Sequence, residues 1–94
     1  MIRSYRNEDV RKLFEDGKRL KGIPADVQRR AVSKLQMIHA ARNLDDLKVP
    51  PGNRLERLKG DRKGQHSIRI NNQYRVCFRW RDGDAYEVEV VDYH

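Results

Sequence analysis

The side chains equipped for chemistry are concentrated after Asn53. Arg54, Lys59, Arg62, Lys63, Arg69, Arg75 and Arg79 supply cations, and Tyr93 and His94 add titratable groups at the end of the sequence. A guanidinium group is a planar fork that matches two phosphate oxygens, so several of them on one shallow surface form a phosphodiester site in physical terms. Such a site can simply bind. With RNA it can also cleave, because the 2′-OH attacks the adjacent phosphorus once that hydroxyl is deprotonated and the leaving oxygen is protonated. Cations stabilise the phosphorane charge directly. They also lower the pKa of a nearby Lys or Tyr toward neutrality, which brings acid and base work within reach of a protein without paired histidines.

Each of these residues also has a plainer reading. Arg75 lies among core-type residues, where a long cation needs either a structural ion pair or an anion. Lys59 before Gly60 can be an ordinary turn lysine, and Tyr93 and His94 a frayed terminus. His39 reads as a helix-face residue and His66 as sheet packing. Cys77 reads as a small packing residue whose cationic neighbours could depress its thiol pKa. Tyr74 and Trp80 read as core in preference to base-stacking platforms. There is no Cys/His cluster, no Gly-rich strand-to-helix loop and no Gly-x-Ser-x-Gly, and no acids make an obvious paired constellation for hydrolysis. Neither metal nor other cofactor is expected.

The cations need strands to position them. Gln73 to Arg81 alternates, with Tyr74, Val76, Phe78 and Trp80 on one side and Arg75, Cys77, Arg79 and Arg81 on the other. Further strands are expected at Arg54–Leu58, at Gln65–Ile70, and through Tyr86, Val88 and Val90 with Glu87 and Glu89 outward. Asn71-Asn72 and Asp82-Gly83-Asp84 supply turns, the former because Asn tolerates positive φ. Before them, Val10, Leu13 and Phe14 define a short helix ended at Gly17, and Val27, Ala31, Leu35, Ile38 and Ala41 a longer one with Pro24 at its first position. Arg29, Arg30, Lys34 and Arg42 lie off that stripe, as a solvated face or an anion contact. Leu44 to Leu47 can add a turn, Val49-Pro50-Pro51-Gly52 is irregular, and Met1 to Tyr5 is a candidate edge strand. The expected fold is α+β: two N-terminal helices packed on one face of a twisted, mainly antiparallel sheet, forming a single domain over residues 1–94.

The totals agree with a folded, anion-seeking domain. The net charge is +7, from 21 Lys+Arg against 14 Asp+Glu, and the sequence pI is about 9.9, which points to nucleic acid or an acidic protein segment as partner. Mean hydropathy is -0.98, yet the apolar residues are periodic, which a disordered chain does not require. A lone cysteine and the absence of any long apolar run favour a soluble, cytoplasmic protein with no membrane association.

Several stretches resemble the HigB group of the RelE/ParE toxin superfamily. They are Pro50-Pro51-Gly52-Asn53-Arg54-Leu55-Glu56, Lys59-Gly60-Asp61, Gly64-Gln65-His66-Ser67-Ile68-Arg69-Ile70, Gln73-Tyr74-Arg75-Val76-Cys77-Phe78 and Val91-Asp92-Tyr93-His94, with Met1-Ile2-Arg3-Ser4-Tyr5 and Leu13-Phe14 fitting as well. The resemblance implies a RelE-like fold and a metal-independent endoribonuclease that cleaves mRNA codons in the ribosomal A site. It implies as partners the ribosome with its rRNA, mRNA, and a cognate HigA-like helix-turn-helix antitoxin held in a hetero-oligomeric toxin–antitoxin complex. It assigns Lys59 to transition-state stabilisation or proton transfer, Arg75 to the scissile phosphate, and Tyr93 and His94 to the active site. The sequence departs from some members in carrying Glu56 in place of a His and Asn71 in place of a basic residue; Arg69 and Arg54 are the candidates to compensate. Two competing readings share the fold: a gyrase-inhibiting toxin of the ParE kind, and a ribosome- or RNA-binding module without cleavage. Lys59, Arg75 and the terminal Tyr93-His94 favour the nuclease.

Overall fold

The computed structural model describes residues 1–93; His94 lies outside the described residues. Two helical segments precede a four-stranded antiparallel sheet of order β1-β2-β3-β4, the α+β arrangement expected. Helix α1 (Glu8–Arg11) begins where the Asn7 side chain accepts the Val10 N–H. It runs into a π-helical turn over Lys12–Asp16 and stops at Gly17, whose φ of 71° closes the helix in the left-handed region. Helix α2 (Ala25–Ala40) starts one residue later than Pro24, which serves as its N-cap. Val27, Ala31, Leu35 and Ile38 form its buried stripe. Gln28, also buried, accepts from the Leu20 N–H and donates to the carbonyls of Leu20 and Ile23, so the basic 17–24 connector is tied to the helix.

After α2, Leu44–Lys48 forms a 3-10 turn capped reciprocally by Asn43 and Asp46, and Pro51–Asn53 forms another. Arg54 then takes φ 46°, which keeps the chain out of extended geometry there. Strand β1 is consequently only Glu56–Arg57, shorter than the expected Arg54–Leu58. Strands β2 (Gln65–Arg69), β3 (Tyr74–Arg81) and β4 (Asp84–Asp92) form a meander. The β3–β4 hairpin has two central residues, Asp82 and Gly83, at φ 52° and 83°, the left-handed pair that matches strand twist. The β2–β3 turn works differently from the expectation. Asn71 does not take positive φ; its Oδ1 accepts the N–H groups of both Gln73 and Tyr74, so the side chain makes the turn.

Residues 1–6 lie along the outer edge of β4 through two parallel bridges, Ile2 with Ala85 and Tyr5 with Val88. The ladder is interrupted because β4 carries a bulge. Cys77 pairs with Glu89 but Arg79 with Tyr86, leaving Glu87 and Val88 opposite Phe78, and Glu87 sits at φ 51°. The extra residue reverses the alternation. Tyr86 therefore lies on the cation face opposite Arg79, and not with Val88 and Val90 as strict alternation predicts.

The core lies between helices and sheet: Ala31, Leu35 and Ile38 meet Ile68, Val76, Phe78 and Val88, all without solvent exposure. The other sheet face is not uniformly open. Ser67 and Cys77 are fully buried there and Gln65 nearly so, roofed by the 58–62 segment, from which Leu58 is buried and Arg62 reaches Gln65 on β2 and Glu89 on β4.

Candidate active site

Strand register sorts the outer sheet face into rows. Glu56, Ser67, Cys77 and Glu89 form the middle row. One step toward the β2–β3 turn, Arg69 stands opposite Arg75, with Val91 beyond it on β4. At this end Arg54, Arg69, Asn71, Asn72, Arg75 and Tyr93 line a cleft of about 220 Å³. Three guanidinium groups, two amides and a phenol thus face one small volume.

Arg75 is its centre. Its side chain is only 14% exposed. One terminal nitrogen donates to the Arg54 carbonyl at 2.6 Å, which the left-handed backbone at Arg54 turns toward it. The other lies 3.9 Å from Glu56 Oε2, beyond hydrogen-bond length. Its Nε is buried with no acceptor among the described residues, a rare condition for a charged donor. Tyr93, 38% exposed, holds its ring 5.9 Å from the Arg75 guanidinium carbon in a cation–π contact, and its N–H reaches the Gln73 carbonyl. Arg69 donates to the Asn71 carbonyl and to the Asn72 amide oxygen, which holds it at the rim. The fork geometry, low exposure and orphaned donor are the features with which a cleft can receive an anion.

The remaining candidate residues lie elsewhere. Lys59 is exposed at the start of the Gly60–Arg62 turn and does not line the cleft. Lys63 is exposed beside it. Arg62 is taken up by Gln65 and Glu89. Arg79 is paired with Glu87 at 2.6 Å and overlies Gly64, where an added Cβ would meet its guanidinium at 2.7 Å. His94 lies outside the described residues, so its position relative to Tyr93 is not described. Asn71 and Asn72 were legible as turn formers but not as cleft lining, since that role depends on how the turn folds back over Arg69.

Cys77, His66 and His39 pack against the fold away from the cleft. Cys77 is the buried packing residue expected, and burial pushes its thiol up to about 11; desolvation outweighs the depression that Arg62 and Arg75 could cause. Burial, followed by the nearby Arg57, lowers the pKa of His66, whose ring packs on Phe78. His39 accepts the Ile2 N–H through Nδ1 and packs against Phe14.

Comparison with known proteins decides the family. Residues 3–94 match the HigB-like toxins, described as RelE-like toxins of type II toxin-antitoxin systems. The chain belongs to this family. It is 41% identical to "Toxin HigB-1" of Vibrio cholerae over 85 residues, 90% of each chain. It is 36% identical to "Endoribonuclease HigB" of Proteus vulgaris over the full length of both. Two solved YoeB–YefM complexes from Staphylococcus aureus share its fold, with TM-scores of 0.59 and 0.60 at 17% and 16% identity, over the whole of this chain and 98% of theirs. This HigB-like toxin thus carries its three-arginine cleft on a RelE-type framework.

Proposed function

We propose that this HigB-like toxin is a metal-independent endoribonuclease that cleaves mRNA in the ribosomal A site. The observation that carries the reading is Arg75: a mostly buried guanidinium with an unmatched Nε, lining with Arg69 and Arg54 a cleft of about 220 Å³ that has room for a phosphate. The name of the Proteus vulgaris relative supports the activity. The scissile phosphate docks with its non-bridging oxygens on Arg75, and Arg69 and Arg54 add positive potential. The 2′-oxygen attacks phosphorus as its proton leaves to a base, the P–O5′ bond breaks, and an acid protonates the departing oxygen. The products are a 2′,3′-cyclic phosphate and a 5′-OH.

Tyr93 and His94 supply the proton transfers, and Lys59, which stands outside the cleft at the start of the Gly60–Arg62 turn, meets the developing charge on the bound RNA. Glu56 is the alternative proton acceptor, although a carboxylate beside RNA phosphate is electrostatically unfavourable. Three cations in the lining, which repel a divalent ion, and the lack of a carboxylate among the described lining residues support the metal-independent reading. Lys63, Arg62 and Arg79 contact RNA only peripherally in this scheme. The toxin acts in the cytoplasm, on translating ribosomes, and is held inactive in a hetero-oligomeric complex with a helix-turn-helix antitoxin; the family description supports an antitoxin partner.

The test is primer extension on a defined mRNA with purified toxin, with and without translating ribosomes, comparing wild type with Arg75→Ala. New 5′ ends should require both ribosomes and Arg75. An absence of new ends while cells still arrest would sink the nuclease reading.

A further inference from the structure

A second cationic depression of about 270 Å³ adjoins the first and shares Arg69 with it; Arg30, Ser33, Lys34, Gly52 and Ile70 complete its lining. Its key residue is Lys34, partly buried on α2. The ammonium group donates to Asn53 Oδ1 at 2.6 Å. Asn53 is fully buried and is anchored through its Nδ2 to the carbonyls of Leu47 and Val49. This amide fixes the ammonium in place while consuming one of its three donors. Among the described residues, no carboxylate pairs with Lys34, Arg30 or Arg69.

Two other cations of the sheet face do have a close acid: Arg62 has Glu89 and Arg79 has Glu87. Three cations gathered without one, around a hydroxyl and a glycine that leaves room for close approach, form a site that an anion completes. Burial and the adjacent Arg30 lower the pKa of Lys34, a cost that a bound anion would reverse. Because Arg69 belongs to both depressions, one continuous polyanion can occupy them together.

We infer that Lys34, Arg30 and Ser33 form a second phosphodiester subsite, on α2, which holds a backbone phosphate flanking the one gripped by Arg75. The inference rests on the RNA-cleaving reading of the cleft and adds a helix-borne positioning surface to it. The phosphate belongs either to the mRNA or to rRNA beside it, and the measurement separates the two.

The subsite is tested in the Arg75→Ala background, in which RNA stays intact, so its outcome does not depend on cleavage. Binding of a short single-stranded RNA and, separately, of vacant ribosomes is measured against salt for that protein and for versions adding Arg30→Gln, Lys34→Gln or both. Each lost phosphate contact should flatten the slope of log K against log salt by about 0.7 on single-stranded RNA. The double change should weaken binding roughly tenfold or more at physiological salt. Loss on the oligonucleotide places mRNA in the subsite, and loss on ribosomes alone places rRNA there. Unchanged affinity and slope for both ligands overturn the inference, and if antitoxin affinity falls instead, the patch is a protein-docking surface. Arg30→Gln, at an exposed position, leaves the Asn53 contact intact and so controls for loss of folding.

Discussion

Arg69 and Arg75 stand directly opposite each other in the β2–β3 register, on the sheet face away from the helices. Like charges so placed repel. Here each is steered by carbonyl or amide oxygens, Arg69 by the Asn71–Asn72 turn and Arg75 by Arg54. The pair is therefore poised for an anion that neither strand provides. Inorganic phosphate or sulfate should raise the melting temperature of wild type more than that of Arg69→Ala or Arg75→Ala. Equal shifts in all three proteins would show that the pair does not take up the anion.

Removing Arg75 should lower ribosome-dependent cleavage by about 10²-fold or more, the usual consequence of deleting one preorganised donor to a developing charge. Arg69→Ala should cost less, because Arg69 contacts the rim. Cleavage under single-turnover conditions reports both. Circular dichroism should show Arg75→Ala folded, and a folded variant that still arrests growth would remove Arg75 from the site.

Deleting Tyr93 and His94 should abolish growth inhibition and depress cleavage by roughly 10²- to 10⁴-fold, the range for lost proton-transfer groups. Tyr93→Phe keeps the ring over Arg75 and removes only the hydroxyl. If Tyr93 transfers a proton, Phe will be nearly as damaging as deletion; if the ring merely orients Arg75, Phe will restore most activity.

Asn71→Ala should lower stability by about 1–2 kcal/mol, since two backbone N–H groups lose their acceptor. For a domain of this size that corresponds to a fall in melting temperature of roughly 4–8 °C per kcal/mol. Gly at position 71 should not rescue it, because the turn there depends on the side chain and not on positive φ. A rescue by Gly would contradict the side-chain account.

The Cys77 thiol should resist a water-soluble thiol reagent at pH 8 until the protein unfolds. Its raised folded pKa also makes a stability prediction. Between the ordinary thiol value near 9 and about 11, the unfolded chain loses the proton while the folded one keeps it. Stability therefore falls as pH rises through that window and is unaffected by this group below it. Denaturant unfolding from pH 8 to 11 should show a steeper loss for wild type than for Cys77→Ala, and parallel curves would refute the assignment.

Much of the fold was written in local periodicity. Spacing of 3.6 placed Val27, Ala31, Leu35 and Ile38 on one helix stripe, and alternation put Val76 and Phe78 opposite Arg75 and Arg79, because helix and strand each repeat their facing over a few bonds. The net charge pointed to an anionic partner, and the motif residues pointed to the toxin family. Which cations converge was decided only by tertiary structure. Arg62 and Arg79 look no different in sequence from Arg69 and Arg75, yet the first two meet Glu89 and Glu87 at 3.2 and 2.6 Å, whereas Arg75 lies 3.9 Å from Glu56 and Arg69 has no ion pair among the described residues. That sorting depends on strand register, on the bulge at Glu87 that moves Tyr86 across the sheet, and on the fold of the Asn71 turn over Arg69. All three bring together residues distant in sequence or reverse a local alternation, so no local pattern encodes them.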